Sequence, residues 1–115
     1  MYIKRILEEK IRRFLKRKEI IAIIGARQSG KTTLMRHIFD TLKNAKFITF
    51  EDRDILELFI QDIKSFIDLY VTGNSYLFID EFQYAKQGGK QLKYIYDTCD
   101  AKIIISGSSA PDLSV

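Results

Sequence analysis

Eight consecutive residues, Gly25-Ala26-Arg27-Gln28-Ser29-Gly30-Lys31-Thr32, carry the spacing G-x-x-x-x-G-K-[ST] (the Walker A pattern) at every fixed position. Glycines at the two fixed points let the backbone turn successive N–H groups inward, which is what wrapping a β-phosphate requires. Lys31 supplies a cation within reach of the β- and γ-phosphates, and the Thr32 hydroxyl is a candidate magnesium ligand. Ala26, Arg27, Gln28 and Ser29 complete the loop, and Thr33 follows it, each with a weaker individual claim. A glycine-rich turn that binds nothing would need neither the lysine nor the threonine. The loop therefore reads as a site for a nucleoside triphosphate.

Two further blocks end in polar residues suited to the same chemistry. Ser75-Tyr76-Leu77-Phe78-Ile79-Asp80-Glu81 is an apolar run closed by two carboxylates, the Walker B pattern. Asp80 is placed to hold magnesium, and Glu81 to orient and deprotonate an attacking water. Taken alone this is an acidic turn after a core strand; downstream of a phosphate loop it points to hydrolysis by activated water. No guanine-reading Asn-Lys-x-Asp occurs, and no arginine-rich lid of the kind found in small-molecule kinases is visible. The third block, Lys102-Ile103-Ile104-Ile105-Ser106-Gly107-Ser108-Ser109, ends in small hydroxyl residues. Ser108 is the candidate contact to the γ-phosphate or the attacking water, with Ser106 its alternative. Sequence does not choose between them, and a plain turn and helix cap is an equal reading for either.

The elements that must position these residues are legible from periodicity. Glu19 to Ile24 is short, apolar and β-branched, a buried strand, and Thr33 to Asp40 has apolar residues at helical spacing. Residues 46–50 read as a strand, and 55–70 as one helix with Leu56, Phe59, Ile60, Ile63, Phe66 and Ile67 on its apolar side. Thr72-Gly73-Asn74 is the turn before the carboxylate strand, and Gln87-Gly88-Gly89 breaks the chain before a helix over 90–98. Strands alternating with helices predict an α/β fold with a parallel sheet, right-handed crossovers and helices on both faces. Ligands then collect at the carboxyl ends of the strands, where all three blocks end.

Together these blocks resemble the AAA-type ATPases of the additional-strand class. More narrowly, they are similar to a prokaryotic family of stand-alone ATPases widespread in archaea and bacteria. That family is recognised by a loop G-x-R-Q-x-G-K-T-T, a strand ending D-E-x-Q and a later strand ending G-S-S. Here those are Gly25 to Thr33, Asp80-Glu81-Phe82-Gln83 and Gly107-Ser108-Ser109, and Lys93-Tyr94-Ile95-Tyr96-Asp97 also looks like that group. The resemblance runs from about Ile3 to the end of the chain. It implies a three-layer α/β/α P-loop NTPase fold, with the 102–105 strand between the loop strand and the carboxylate strand. It also implies an ATPase working on Mg-ATP, usually followed by a C-terminal domain sometimes linked to DNA. Family members continue with a fifth core strand, a small helical lid and an arginine that senses the γ-phosphate. Here Ser109-Ala110-Pro111-Asp112-Leu113 opens a new helix and the sequence stops at Val115. The expectation is thus one AAA-type domain over 1–115, truncated, with four strands visible and the fifth strand and lid missing. The alternative to an active ATPase is a nucleotide-dependent binding module or switch with little turnover of its own.

Composition agrees with one domain: 115 residues, 46% hydrophobic and 30% charged. No run approaches the length of a membrane helix, the N-terminus lacks a secretory core, and a cytoplasmic location is the default. The lone Cys99 forms no internal disulfide and lies on an apolar stripe, and His37 reads as a helix-surface residue. Charge is lopsided: the first 18 residues hold eight Lys or Arg against Glu8 and Glu9, a net +6, so the remainder carries −2 of the total +4. With Ile3, Ile6, Leu7, Ile11, Phe14 and Leu15 at helical spacing this is a basic amphipathic helix. Contact with nucleic acid is one reading; packing against the sheet is the favoured one. Partners besides ATP, such as a further domain or a second copy of the chain, are expectations of the family resemblance.

Overall fold

The computed structural model describes residues 2–26 and 29–108. Four parallel strands form one sheet: β1 (Ile21–Gly25), β2 (Ala45–Thr49), β3 (Tyr76–Asp80) and β4 (Lys102–Ser108), in the order β1-β4-β3-β2. The last strand thus inserts between the loop strand and the carboxylate strand, as the resemblance implied. The register sets Ile23 beside Ser106, Gly25 beside Ser108 and Thr49 beside Asp80, so the three motif ends share one edge. Among the described residues β1 pairs on one side only, and its Ile24 is 59% exposed.

Helices cover both faces. On one, α1 (Tyr2–Phe14), the turn at Leu15 and α2 (Lys31–Phe39) pack Ile11, Leu15, Leu34, Met35 and Ile38 against Ile23, Phe78 and Ile104. On the other, α3 (Arg53–Gln61), α4 (Ile63–Phe66) and α5 (Gly89–Thr98) bury Phe59, Phe66, Leu92 and Ile95 against Ile48, Leu77, Ile79, Ile103 and Ile105. The central stretches Leu77–Ile79 of β3 and Ile103–Ile105 of β4 are buried on both faces and continuously apolar, as inner strands of a parallel sheet are.

Two expectations change. The single helix over 55–70 is broken at Asp62, whose non-helical backbone (φ −146°, ψ 79°) ends α3 and whose carboxylate accepts from Ser65 N and Oγ to start α4. The apolar rhythm survives because Phe59 and Phe66 meet across the break, ring centroids 5.0 Å apart. A π-helical turn, Ile67–Val71, finishes the segment. The basic helix expected over 1–18 stops at Phe14. Ile11 near its end and Leu15 in the turn just after it pack inward, while Ile6 and Leu7 stay exposed, so only part of the apolar stripe is absorbed by the sheet. The helix expected from Ser109 lies outside the described residues.

At the base of the sheet Lys102 is buried, and its ammonium donates to the carbonyls of Arg17 (2.6 Å) and Glu19, tying the α1–β1 connection to β4. Burial pushes its pKa below the ordinary lysine value; the neighbouring Glu19 opposes that shift and Arg17 adds to it.

Candidate functional site

Position 30 needs a glycine. Gly30 takes φ +90°, a conformation that a Cβ disfavours, and from there α2 begins at Lys31 with its N-terminal N–H groups facing the loop. At the other end Gly25 leaves room for the loop to close: a Cβ there would lie 3.2 Å from Ser29 Oγ and 3.5 Å from Lys31 Cδ. The Lys31 ammonium donates back to the carbonyls of Gly25 (3.2 Å) and Ala26 (2.8 Å), so the cation already lies over the loop. Arg27 and Gln28 lie outside the described residues. Thr33 is exposed on α2.

Asp80 is the hub. It is 6% exposed at the end of β3, and three donors converge on it. Thr32 Oγ1 donates to Oδ2 at 2.8 Å, while Ser106 Oγ and the Glu81 N–H (3.1 Å) donate to Oδ1. Thr32 and Asp80 are 48 residues apart in sequence; only the β1-β4-β3 order with α2 on the correct face brings them together. Ser106, fully buried, points toward the α2 side of the sheet like Ile104 and Phe78. Of the two serines that sequence left open, Ser106 is the one whose hydroxyl meets the carboxylate. Ser108 enters through its main chain, its N–H donating to Gln83 Oε1 at 3.1 Å.

Glu81 follows with φ 57° and ψ 44°, left-handed backbone that is uncommon for a residue with a side chain. The reversal feeds a 3-10 turn, Phe82–Tyr84, which brings Gln83 back so that its Nε2 donates to Glu81 Oε1 at 2.6 Å. Gln83 is the residue to which sequence reasoning assigned no role, although its place two positions after Glu81 was the available signal. His37 and Cys99 take no part: the imidazole is on the surface of α2, 3.4 Å from Glu8 Oε2, and the thiol is half-buried beside the α5 core.

The residues present suit a hard cation. A hydroxyl and a carboxylate already within hydrogen-bond distance form an all-oxygen pair, and among the described residues no group of three His, Cys, Asp or Glu converges. Such a sparse set matches magnesium, which keeps several waters and shares phosphate oxygens, better than a metal needing a full protein cage. A cavity of about 480 Å³ lies to one side, lined by Phe50, Glu51, Arg53, Leu56, Glu57 and Tyr84, and includes none of these residues.

A parallel α/β sheet with a glycine loop between its edge strand and the following helix, and a buried carboxylate two strands away, defines the P-loop NTPase class of fold. Within that class the chain belongs to the AAA domain family, which it matches over residues 17–115. It is also similar to the uncharacterized protein MJ1637 of Methanocaldococcus jannaschii, with 30% identity over 95% of this chain and 27% of the relative. The chain thus spans about a quarter of the length of that curated relative. Family membership carries an ATPase-like, nucleotide-binding character, and among the described residues no helix is long and apolar enough to cross a membrane.

Proposed function

We propose that this chain is part of an AAA-type domain that binds Mg-ATP through residues 25–33 and hydrolyses it with Glu81 as the base. The observation that carries the reading is the 2.8 Å hydrogen bond between Thr32 and Asp80, which joins the two expected magnesium ligands across the sheet. Magnesium, held by Thr32 and Asp80, would neutralise charge on the phosphate oxygens. The loop N–H groups and the N-terminus of α2 supply fixed dipoles for the phosphates, and Lys31 exchanges its loop carbonyls for phosphate oxygens. Ser106 keeps the Asp80 carboxylate turned toward Thr32. Glu81, one residue beyond the metal-binding position, accepts the proton of the attacking water, and Ser108 at the tip of β4 is the candidate γ-phosphate contact.

The test combines calorimetry with steady-state turnover. Lys31→Ala removes Mg-ATP binding, whereas Glu81→Gln keeps binding and lowers hydrolysis by about a hundredfold or more. Equal turnover in Glu81→Gln and the parent would exclude Glu81 as the base. Binding that depends on Lys31 without measurable turnover in the parent supports the alternative, a nucleotide-dependent switch.

A further inference from the structure

We propose that Gln83 is a positioning residue that ties the Glu81 carboxylate to the tip of β4; its consequence for hydrolysis rests on the reading of Glu81 as base. A primary amide has one accepting end and one donating end. Its accepting end, Oε1, takes the Ser108 main-chain N–H at 3.1 Å, a group that can only donate. Its donating end, Nε2, is therefore turned to Glu81 Oε1 at 2.6 Å. With both partners of fixed polarity, the amide has one workable orientation.

The surroundings are built for this bridge. The left-handed backbone at Glu81 folds the chain so that residue 83 returns beside residue 81, and Phe82 anchors the turn against Phe50 and Phe59, at ring distances of 5.7 and 5.9 Å. Gly107 supplies the space: a Cβ there would lie 3.2 Å from Gln83 Oε1 and 3.7 Å from its main-chain nitrogen. Glutamine is the side chain the position requires. Asparagine is one methylene shorter, and glutamate could accept from Ser108 but would oppose Glu81.

Two consequences follow. One Glu81 oxygen is held by the amide and the other is left to accept from water. Both acidic residues are also fastened to the same strand, Asp80 through the Ser106 hydroxyl and Glu81 through Gln83 and the Ser108 N–H. A shift of the β4 tip moves the base and the metal-binding carboxylate together.

The experiment measures turnover, nucleotide affinity and solvent exchange of the Gln83 side-chain amide by nitrogen-15 NMR. Gln83→Ala is expected to lower kcat about tenfold, to change the nucleotide Kd by less than about twofold, and to have no further effect in a Glu81→Gln background. Gly107→Ala should lower kcat in the same direction by displacing the amide. In the parent the Gln83 amide protons exchange slowly, and Glu81→Ala speeds their exchange. The proposal is overturned if Gln83→Ala retains kcat within about twofold, if its effect persists undiminished without Glu81, or if amide exchange ignores Glu81→Ala. Parental turnover in Glu81→Gln would instead refute the base assignment, and the amide exchange would still decide the tie. In a protein with no measurable turnover, exchange alone decides it.

Discussion

Ser106→Ala separates the two serines at the end of β4. The Ser106 hydroxyl is fully buried and donates to a carboxylate that is only 6% exposed. Its loss leaves Asp80 with Thr32 and the Glu81 N–H as donors. The void left by one oxygen is too small to admit a water that could substitute. A hydrogen bond to a charged group contributes about 1.5–3 kcal/mol, so about 2 kcal/mol is expected here. Unfolding entropy of about 2.1 cal/mol/K per residue gives about 0.24 kcal/mol/K for a chain of 115 residues, hence a fall in Tm of about 8 °C. Ser108→Ala keeps its main-chain N–H on Gln83 and should cost under about 0.5 kcal/mol, or about 2 °C. The assay is thermal unfolding followed by circular dichroism without nucleotide or magnesium, with urea midpoints as a check. In an Asp80→Ala background the Ser106 effect should largely vanish, because its partner is gone. Equal Tm losses for the two serine variants, or a Ser106→Ala loss that survives in Asp80→Ala, would refute the assignment of Ser106 to the carboxylate.

Further outcomes follow from the packing. At Gly88 a Cβ would lie 2.9 Å from Ala85 Cβ and O and 3.2 Å from Phe59, whereas at Gly89 it meets nothing within 4 Å. Gly88→Ala should therefore cost about 1–3 kcal/mol by overpacking, and Gly89→Ala, at the start of α5, should gain about 0.5–1 kcal/mol; denaturant midpoints of the same sign for both would contradict this. Lys102 is held below its unfolded pKa of 10.5 by burial, so between its folded value and 10.5 the unfolded chain binds more protons and stability rises with pH. The stability of the parent relative to Lys102→Met should accordingly grow from neutral pH toward 10.5. Lys93, raised by its hydrogen bond to Asp97, has the opposite trend but is common to both proteins and cancels. A difference that stays flat or narrows would show that the buried ammonium carries no such penalty.

The loop, the carboxylate strand and the alternation of strands and helices were legible because each rests on local pattern. What sequence could not resolve is also physical. Ile103-Ile104-Ile105 is apolar on both faces, so it carries no period-two contrast and gives no sign of which helix layer each side of β4 meets. Ser106 and Ser108, two residues apart, share one side of the strand in any case, and only the register, which pairs Ile79 with Ile105 and so sets Ser106 level with Asp80, tells which of them meets the carboxylate. The break at Asp62 was hidden for the converse reason: the apolar period continues through it, and the signal that was present, an aspartate three residues before Ser65, is a cap that competes with helix continuation. Gln83 was hidden in another way, since its partners are a main-chain N–H 25 residues away and a carboxylate reached only after a left-handed turn. Single-sequence reading finds groups whose chemistry is written in residue type. It misses those whose chemistry comes from what the fold lays beside them, and around Asp80 and Glu81 those are the residues that set where the carboxylate oxygens point.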